Sequence, residues 1–141
     1  DSDVDLKQRL ESIRLQIGPK MNLGDVTRKV VPKMSLISRA TSGGHVNTRT
    51  FIPHDCHATI GVLGAVSVAT ACILPGTVAA GIADIPPGAA KQMSVEHPSG
   101  EFSVTLEVGG APERPEVLKA GLLRTARLIM KGEIQVPTSR R

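Results

Sequence analysis

Between Ala58 and Leu74 the chain carries no charged side chain, while the segments on either side alternate in polarity or repeat at helical spacing. The uncharged run sits inside CHATIGVLGAVSVATACILPG, from Cys56 to Gly76. It is close to the roughly 20 residues a membrane span needs. Its Thr59, Gly61, Gly64, Ser67, Thr70 and alanines keep it only modestly hydrophobic, and it has neither aromatic belts nor a basic cluster on one side. The pattern instead predicts one helix that is apolar all round because protein encloses it, with small residues that let a sheet approach closely.

The flanks predict what does the enclosing. From Asp3 to Ile17, Leu6, Leu10, Ile13 and Ile17 recur at spacings of three and four, an amphipathic helix stopped by Gly18-Pro19. VPKMSLIS (31–38) and HVNTRTFI (45–52) are strand candidates separated by Gly43-Gly44. After a Gly/Pro-rich connector at 83–90, KQMSVEHPSGEFSVTLEV (91–108) places HPSG between two alternating runs, a hairpin signal. A final helix is expected over 114–131, with Val117, Leu118, Leu122 and Ile129 near one face and Gly132 ending it; EIQVP then reads as a last strand. The order of elements predicts an α+β fold in a single domain, residues 1–141, with a curved mixed sheet wrapped around a buried central helix.

Composition narrows the function. Without Trp or Tyr, and with only Phe51 and Phe102, the core must come from aliphatic residues, and stacking platforms for nucleic acid are missing. The net charge of +4 comes from 17 basic residues interleaved with 13 acidic ones, a solvated surface and not a nucleic-acid stripe. On the single predicted helix Cys56 and Cys72 lie about 24 Å apart, too far to bridge. The acidic, amphipathic start DSDVDLKQRL is no signal sequence, so the expected compartment is the cytosol. His45, His54, Cys56 and His57 offer ligand types for a metal, but not the spacing of a closed zinc site.

Taken in order, LESIR, VPKMSLIS, the CHAT-to-PGT segment, VEHPSG and LLRTARLIMKGEIQVP resemble the C-terminal half of the PrpF-type isomerases, which include methylitaconate and aconitate isomerases and oxalomesaconate tautomerases. The resemblance implies a diaminopimelate epimerase-like fold, two similar halves with the active site between them. It also implies cofactor-free transfer of a proton across an allylic system in a small unsaturated di- or tricarboxylic acid. The acid/base pair usually assigned in the family, a Lys and a Cys, belongs to the N-terminal half. The chain, which begins at Asp1, is therefore expected to be a piece of a larger enzyme or to be completed by another polypeptide, with homo-oligomers also open. A non-catalytic module that pairs with a partner half is the competing expectation.

The same resemblance nominates site residues. Cys56 occupies the place where the epimerases carry a CGTG-like stretch with a catalytic thiol, although PrpF-type sequences commonly have another residue there; the plainer reading is a small residue at a helix start. His57 matches the family's helix-opening His and would donate to a substrate carboxylate, against the alternative of a capping histidine. In the HPSG turn, Ser99 and the Gly100 amide would hold a carboxylate and His97 would add charge or hold the turn, although turn geometry alone accounts for Pro98 and Gly100. Arg124 and Arg127, three apart on the expected last helix, suit carboxylates but equally suit solvated ion pairs. Lys33 sits in the family-like PKM segment, and the resemblance gives it no role. Cys72 reads as packing.

Overall fold

The computed structural model describes residues 2–124 and 126–136. Helix α1 (Val4–Lys20) begins where the Asp3 carboxylate accepts the Leu6 N–H at 2.9 Å, an N-cap bond that satisfies an otherwise orphaned donor. It runs through Gly18 and Pro19 to Lys20, slightly past the expected stop. Its buried stripe is Leu10, Arg14 and Gly18, so of the apolar face expected from spacing Leu10 is buried and Leu6 half-buried, while Ile13 and Ile17 are exposed. Gly18 is required there, because a Cβ would lie 2.5 Å from Val26 Cγ2.

Strands β1 (Met34–Ser38), β2 (Val46–Phe51), β3 (Ala90–His97), β4 (Gly100–Ala111) and β5 (Arg114–Leu122) form one sheet in that order. All neighbours are antiparallel except β2 and β3, which pair in parallel at Val46–Val95 and Asn47–Glu96. A parallel pair needs a crossover, and helix α2 (Val62–Ile73) supplies it. The two strands before the helix and the HPSG hairpin, with His97 opposite Gly100, are as expected from alternation.

Three expectations are corrected. The long helix from Cys56 to Gly76 is only α2, 12 residues with Gly61 as its N-cap, so Cys56 and Cys72 do not share a helix. The residues before α2 are used differently: Ile52 N–H reaches the Asp55 carbonyl at 3.0 Å and His57 N–H reaches the Thr50 carbonyl at 2.7 Å, so the chain folds back and Cys56 bridges Phe51 on β2. Exposed strand amides and carbonyls need partners, and this return segment provides them. Second, residues 114–122 form β5, not a helix, because the long strand β4 would otherwise present an open edge. Gly110 makes the β4–β5 reversal possible: its φ is +83°, and a Cβ would stand 2.5 Å from the Arg114 carbonyl oxygen. Third, residues 126–136 carry neither helix nor strand, so the expected helix end and the Glu133–Val136 part of the last strand are absent; Pro137 lies outside the described residues. Leu128, Ile129, Met130, Ile134 and Val136 are exposed there.

Helix α2 packs on β3, β4 and β5. Ala65, Val68, Ala69 and Cys72 form its buried stripe against Val46, Met93, Val95, Val104 and Leu106. Small side chains at positions 65 and 69 let the helix settle close to a sheet that has few large anchors. The helix is enclosed on this side only: Val62 is 43 % and Leu63 80 % exposed. Among the described residues no helix is long and apolar enough to cross a membrane.

Two buried charges fix the loops. Arg14, 1 % exposed, pairs with Glu11 in a bidentate contact (2.7 and 2.8 Å) and donates through Nη1 to the carbonyls of Val26, Lys29 and Val31 at 3.0, 3.0 and 2.7 Å. Glu96, 3 % exposed, accepts the N–H groups of Thr41, Ser42 and Gly44 at 2.7 to 2.8 Å.

Candidate functional site

Because α2 covers β3 to β5, the same face of β1 and β2 is left open, and a groove of about 720 Å³ runs between them and the helix. Strand register decides which side chains line it. Ser35 stands opposite Thr50, their hydroxyls 2.8 Å apart, and the return segment places His57 on the other flank of Thr50. Residues directly opposite share a face and successive ones alternate. Ser35, Thr50 and His57 therefore face the groove, together with Lys33 and Ile37 at period two. Cys56 points the other way, with Phe51, and does not line the groove.

The His57 ring is held by its own turn. Its Nδ1 lies 3.1 Å from the Thr59 N–H, which can only donate, so in the neutral ring the proton sits on Nε2 as an outward-facing donor. Next to it, α2 begins without a side-chain cap and without an acidic residue in its first turn. The N–H groups of Val62, Leu63 and Gly64 have no partner among the described residues, and they carry the positive end of the helix dipole. Apart from Lys33 and the hydroxyls of Ser35, Thr50 and Ser67, the groove wall is apolar, with Ile37, Ile52, Val62 and Leu63 contributing to it. A hydrogen-bond donor and an open helix start beside apolar side chains together suit the carboxylate of a small organic acid.

The other nominated residues divide. His97 and Gly100 line a second, polar cleft of about 450 Å³, shared with the 41–44 loop, Arg49 and Glu101. The His97 turn repeats the geometry of the His57 turn, with Nδ1 3.3 Å from the Ser99 N–H. Ser99 joins the two regions: its hydroxyl donates to the Ala58 carbonyl at 2.7 Å, so its proton is committed to holding the turn against the His57 segment. The helix-start position expected for Cys56 and His57 is corrected, since both precede the Gly61 cap in the return segment. The half-buried Cys56 thiol lies 3.7 Å from the His57 carbonyl oxygen. Cys72 is a core residue, and burial pushes its thiol up to about 11. Arg124, expected on a helix, follows β5 and sits over the Phe102 ring, 5.4 Å from its centre. Arg127 is likewise not on a helix.

Sequence reasoning missed Glu96 and Arg14, whose charges look like surface residues, and the uncapped start at Gly61. The Glu96 signal was its place beside a buried alternating run and upstream pairing with the amide-rich TSGG loop; Arg14 had none beyond its helical spacing from Leu10.

Comparison with known proteins identifies the family and the fold. A family model described as PrpF protein matches residues 1–137. The chain is similar to a 4-oxalomesaconate tautomerase of Pseudomonas putida, 54% identical over 134 residues, covering 95% of this chain and 36% of that protein. It is also similar to a (4E)-oxalomesaconate Delta-isomerase of Novosphingobium sp., 56% identical over 136 residues, covering 96% and 37%. The chain thus spans a little over a third of the length of these relatives. Among solved structures, a methylitaconate-delta-isomerase shares the fold, with a TM-score of 0.65 at 15% identity over 86% of this chain and 38% of that one.

Proposed function

The chain belongs to the PrpF family, and on that footing we propose that it is one part of an isomerase that moves a proton across an allylic system in a small unsaturated di- or tricarboxylic acid. The observation that carries this reading is the groove in which the His57 donor and the open start of α2 stand together on an apolar wall. The printed activities of the relatives, oxalomesaconate tautomerase and isomerase, supply the substrate class.

In this reaction a base removes an allylic proton, the electron pair moves toward the adjacent double bond and carboxylate, and an acid returns a proton at the far carbon. Nothing is oxidised or reduced, so the scheme calls for no cofactor. This chain binds: His57 Nε2–H and the amides of Val62 to Gly64 hold one carboxylate and offset the charge that builds on it as the proton leaves. The base and acid come from the remainder of the enzyme, which closes over the groove in a diaminopimelate epimerase-like arrangement, in the cytosol. Cys56 lies outside the groove, so its removal should leave turnover largely unchanged.

Incubating the complete enzyme with aconitate, methylitaconate or oxalomesaconate in deuterated water tests the proposal. Solvent deuterium appears at the allylic carbon of at least one of these acids. If none exchanges, the competing view, a binding module with no chemistry of its own, takes its place.

A further inference from the structure

We propose that Lys33 is a second carboxylate anchor in this groove and makes the site selective for acids with two carboxylates over acids with one. The inference rests on the reading of the groove as an acid-binding site and adds to it a residue and a specificity.

Strand register brings Lys33 to the site. It lies one residue before the Met34–Phe51 pair and two before Ser35, so alternation puts it on the face that Ser35, Thr50 and His57 share, and it lines the same groove. Strand β2 runs between the Lys33 and His57 segments, and Lys33 is offset from His57 by two residues along it, so their backbones stand roughly 12 Å apart. A lysine stem and an imidazole reaching inward from those positions leave room between their polar ends for the short carbon skeleton of a dicarboxylic acid.

The charge balance points the same way. Lys33 is exposed and has no ion pair or hydrogen bond among the described residues. Lys7 and Lys119 instead pair with Asp55 and Glu107, and Lys29 and Lys91 donate to backbone carbonyls. Among the described residues lining the groove, Lys33 is the one carrying a full charge, and no Asp or Glu lines it. Nothing negative in the described lining opposes the attraction between this ammonium and an anion. One carboxylate of the bound acid faces His57 and the α2 start; the second meets Lys33; the unsaturated skeleton lies along Ile37, Ile52 and Val62.

The test compares wild type, Lys33→Met and Lys33→Arg in the complete enzyme. Each is assayed on an unsaturated dicarboxylate and on its monoamide, in which the second carboxylate is neutral. Lys33→Met should lower kcat/KM for the diacid by about 10- to 100-fold, the size of one lost hydrogen bond to a charged group. The loss should fall on KM, with kcat within about twofold, and Lys33→Arg should recover most of it. On the monoamide, wild type and Lys33→Met should match. An equal loss on both compounds, a loss confined to kcat, or no loss overturns the proposal.

Calorimetric titration with a saturated five-carbon diacid and its monoamide separates this inference from the isomerase reading. Lys33-dependent preference for the diacid upholds the anchor even if no deuterium exchange is found. Equal binding of the two compounds, or no binding of the diacid, overturns it even if exchange is found.

Discussion

Two loops of this protein are each held by a single buried charge, and the charges have opposite sign. On the groove side, the Arg14 guanidinium gathers three carbonyls of the 26–31 loop, which leads directly into Lys33. On the cleft side, the Glu96 carboxylate gathers three amides of the 41–44 loop and is itself followed by His97. The 26–31 loop fully buries one apolar side chain, Val26, and the 41–44 loop none, and in each the backbone partners replace the water that a buried charge gives up. The difference lies in titration. A guanidinium keeps its proton throughout the accessible range, so on the groove side acid acts only through the Glu11 carboxylate paired with Arg14, whereas on the cleft side it protonates the anchoring group itself.

The largest effect should come from Arg14→Met. It strands three carbonyls and unpairs Glu11, and by the usual cost of breaking a buried charged network it should destabilise the fold by about 3 kcal/mol. Urea denaturation of the variant reads this, and a change under about 1 kcal/mol would show that the loop is held by something else. Glu96→Gln should be milder, about 2 kcal/mol at neutral pH, with faster amide exchange at Thr41, Ser42 and Gly44 as its local signature. The Thr41 amide above all, then those of Gly44 and Ser42, holds the Glu96 carboxyl below the usual carboxylate range against an opposing push from burial. A depressed folded-state value means that this stabilisation is complete above the ordinary Glu value of 4.5 and fades as pH falls through the lower folded one. The gap between wild type and Glu96→Gln should therefore narrow in that acid window; a constant gap down to pH 2 would break the contrast between the loops.

The smallest effect sharpens the contrast at the two histidine turns. His57 and His97 are posed alike by the amides of Thr59 and Ser99, yet they face different cavities. His57→Ala should raise KM about tenfold with little change in kcat, while His97→Ala should leave KM within about twofold. Steady-state kinetics on both variants decides it, and equal losses would mean that the two cavities act as one site.

The local elements were legible in the sequence because local patterns make them. The helical spacing that starts at Asp3, the alternation in 45–52 and the HPSG turn needed no distant partner to be read. Residues 114–131 misled because Val117, Leu118 and Leu122 fit a helical face and a strand equally well, and the decision belongs to β4, whose open edge takes β5 as its neighbour. The uncharged run likewise could not announce that its first residues return to pair with β2. At the candidate site, His57 was nominated by its motif, but its separation from Cys56 is a matter of which face a residue occupies once register is set. The placing of Lys33 along the groove is decided in the same way. Arg14 and Glu96 escaped because their partners lie up to 17 and 55 residues away in the chain.

The bare start of α2 has a cost that the proposed acid site would explain. Gly61 has φ −73° and ψ 157°, values open to any residue, and a Cβ added there would meet nothing within 4 Å. An aspartate in its place would cap the helix and favour its dipole, raising thermal resistance by a few tenths to about 1 kcal/mol. On the proposed reading it would also set a permanent negative charge where the acid lands. Robustness and acid binding would then be set against each other at one backbone position, and a screen for thermal resistance alone would select the weaker binder.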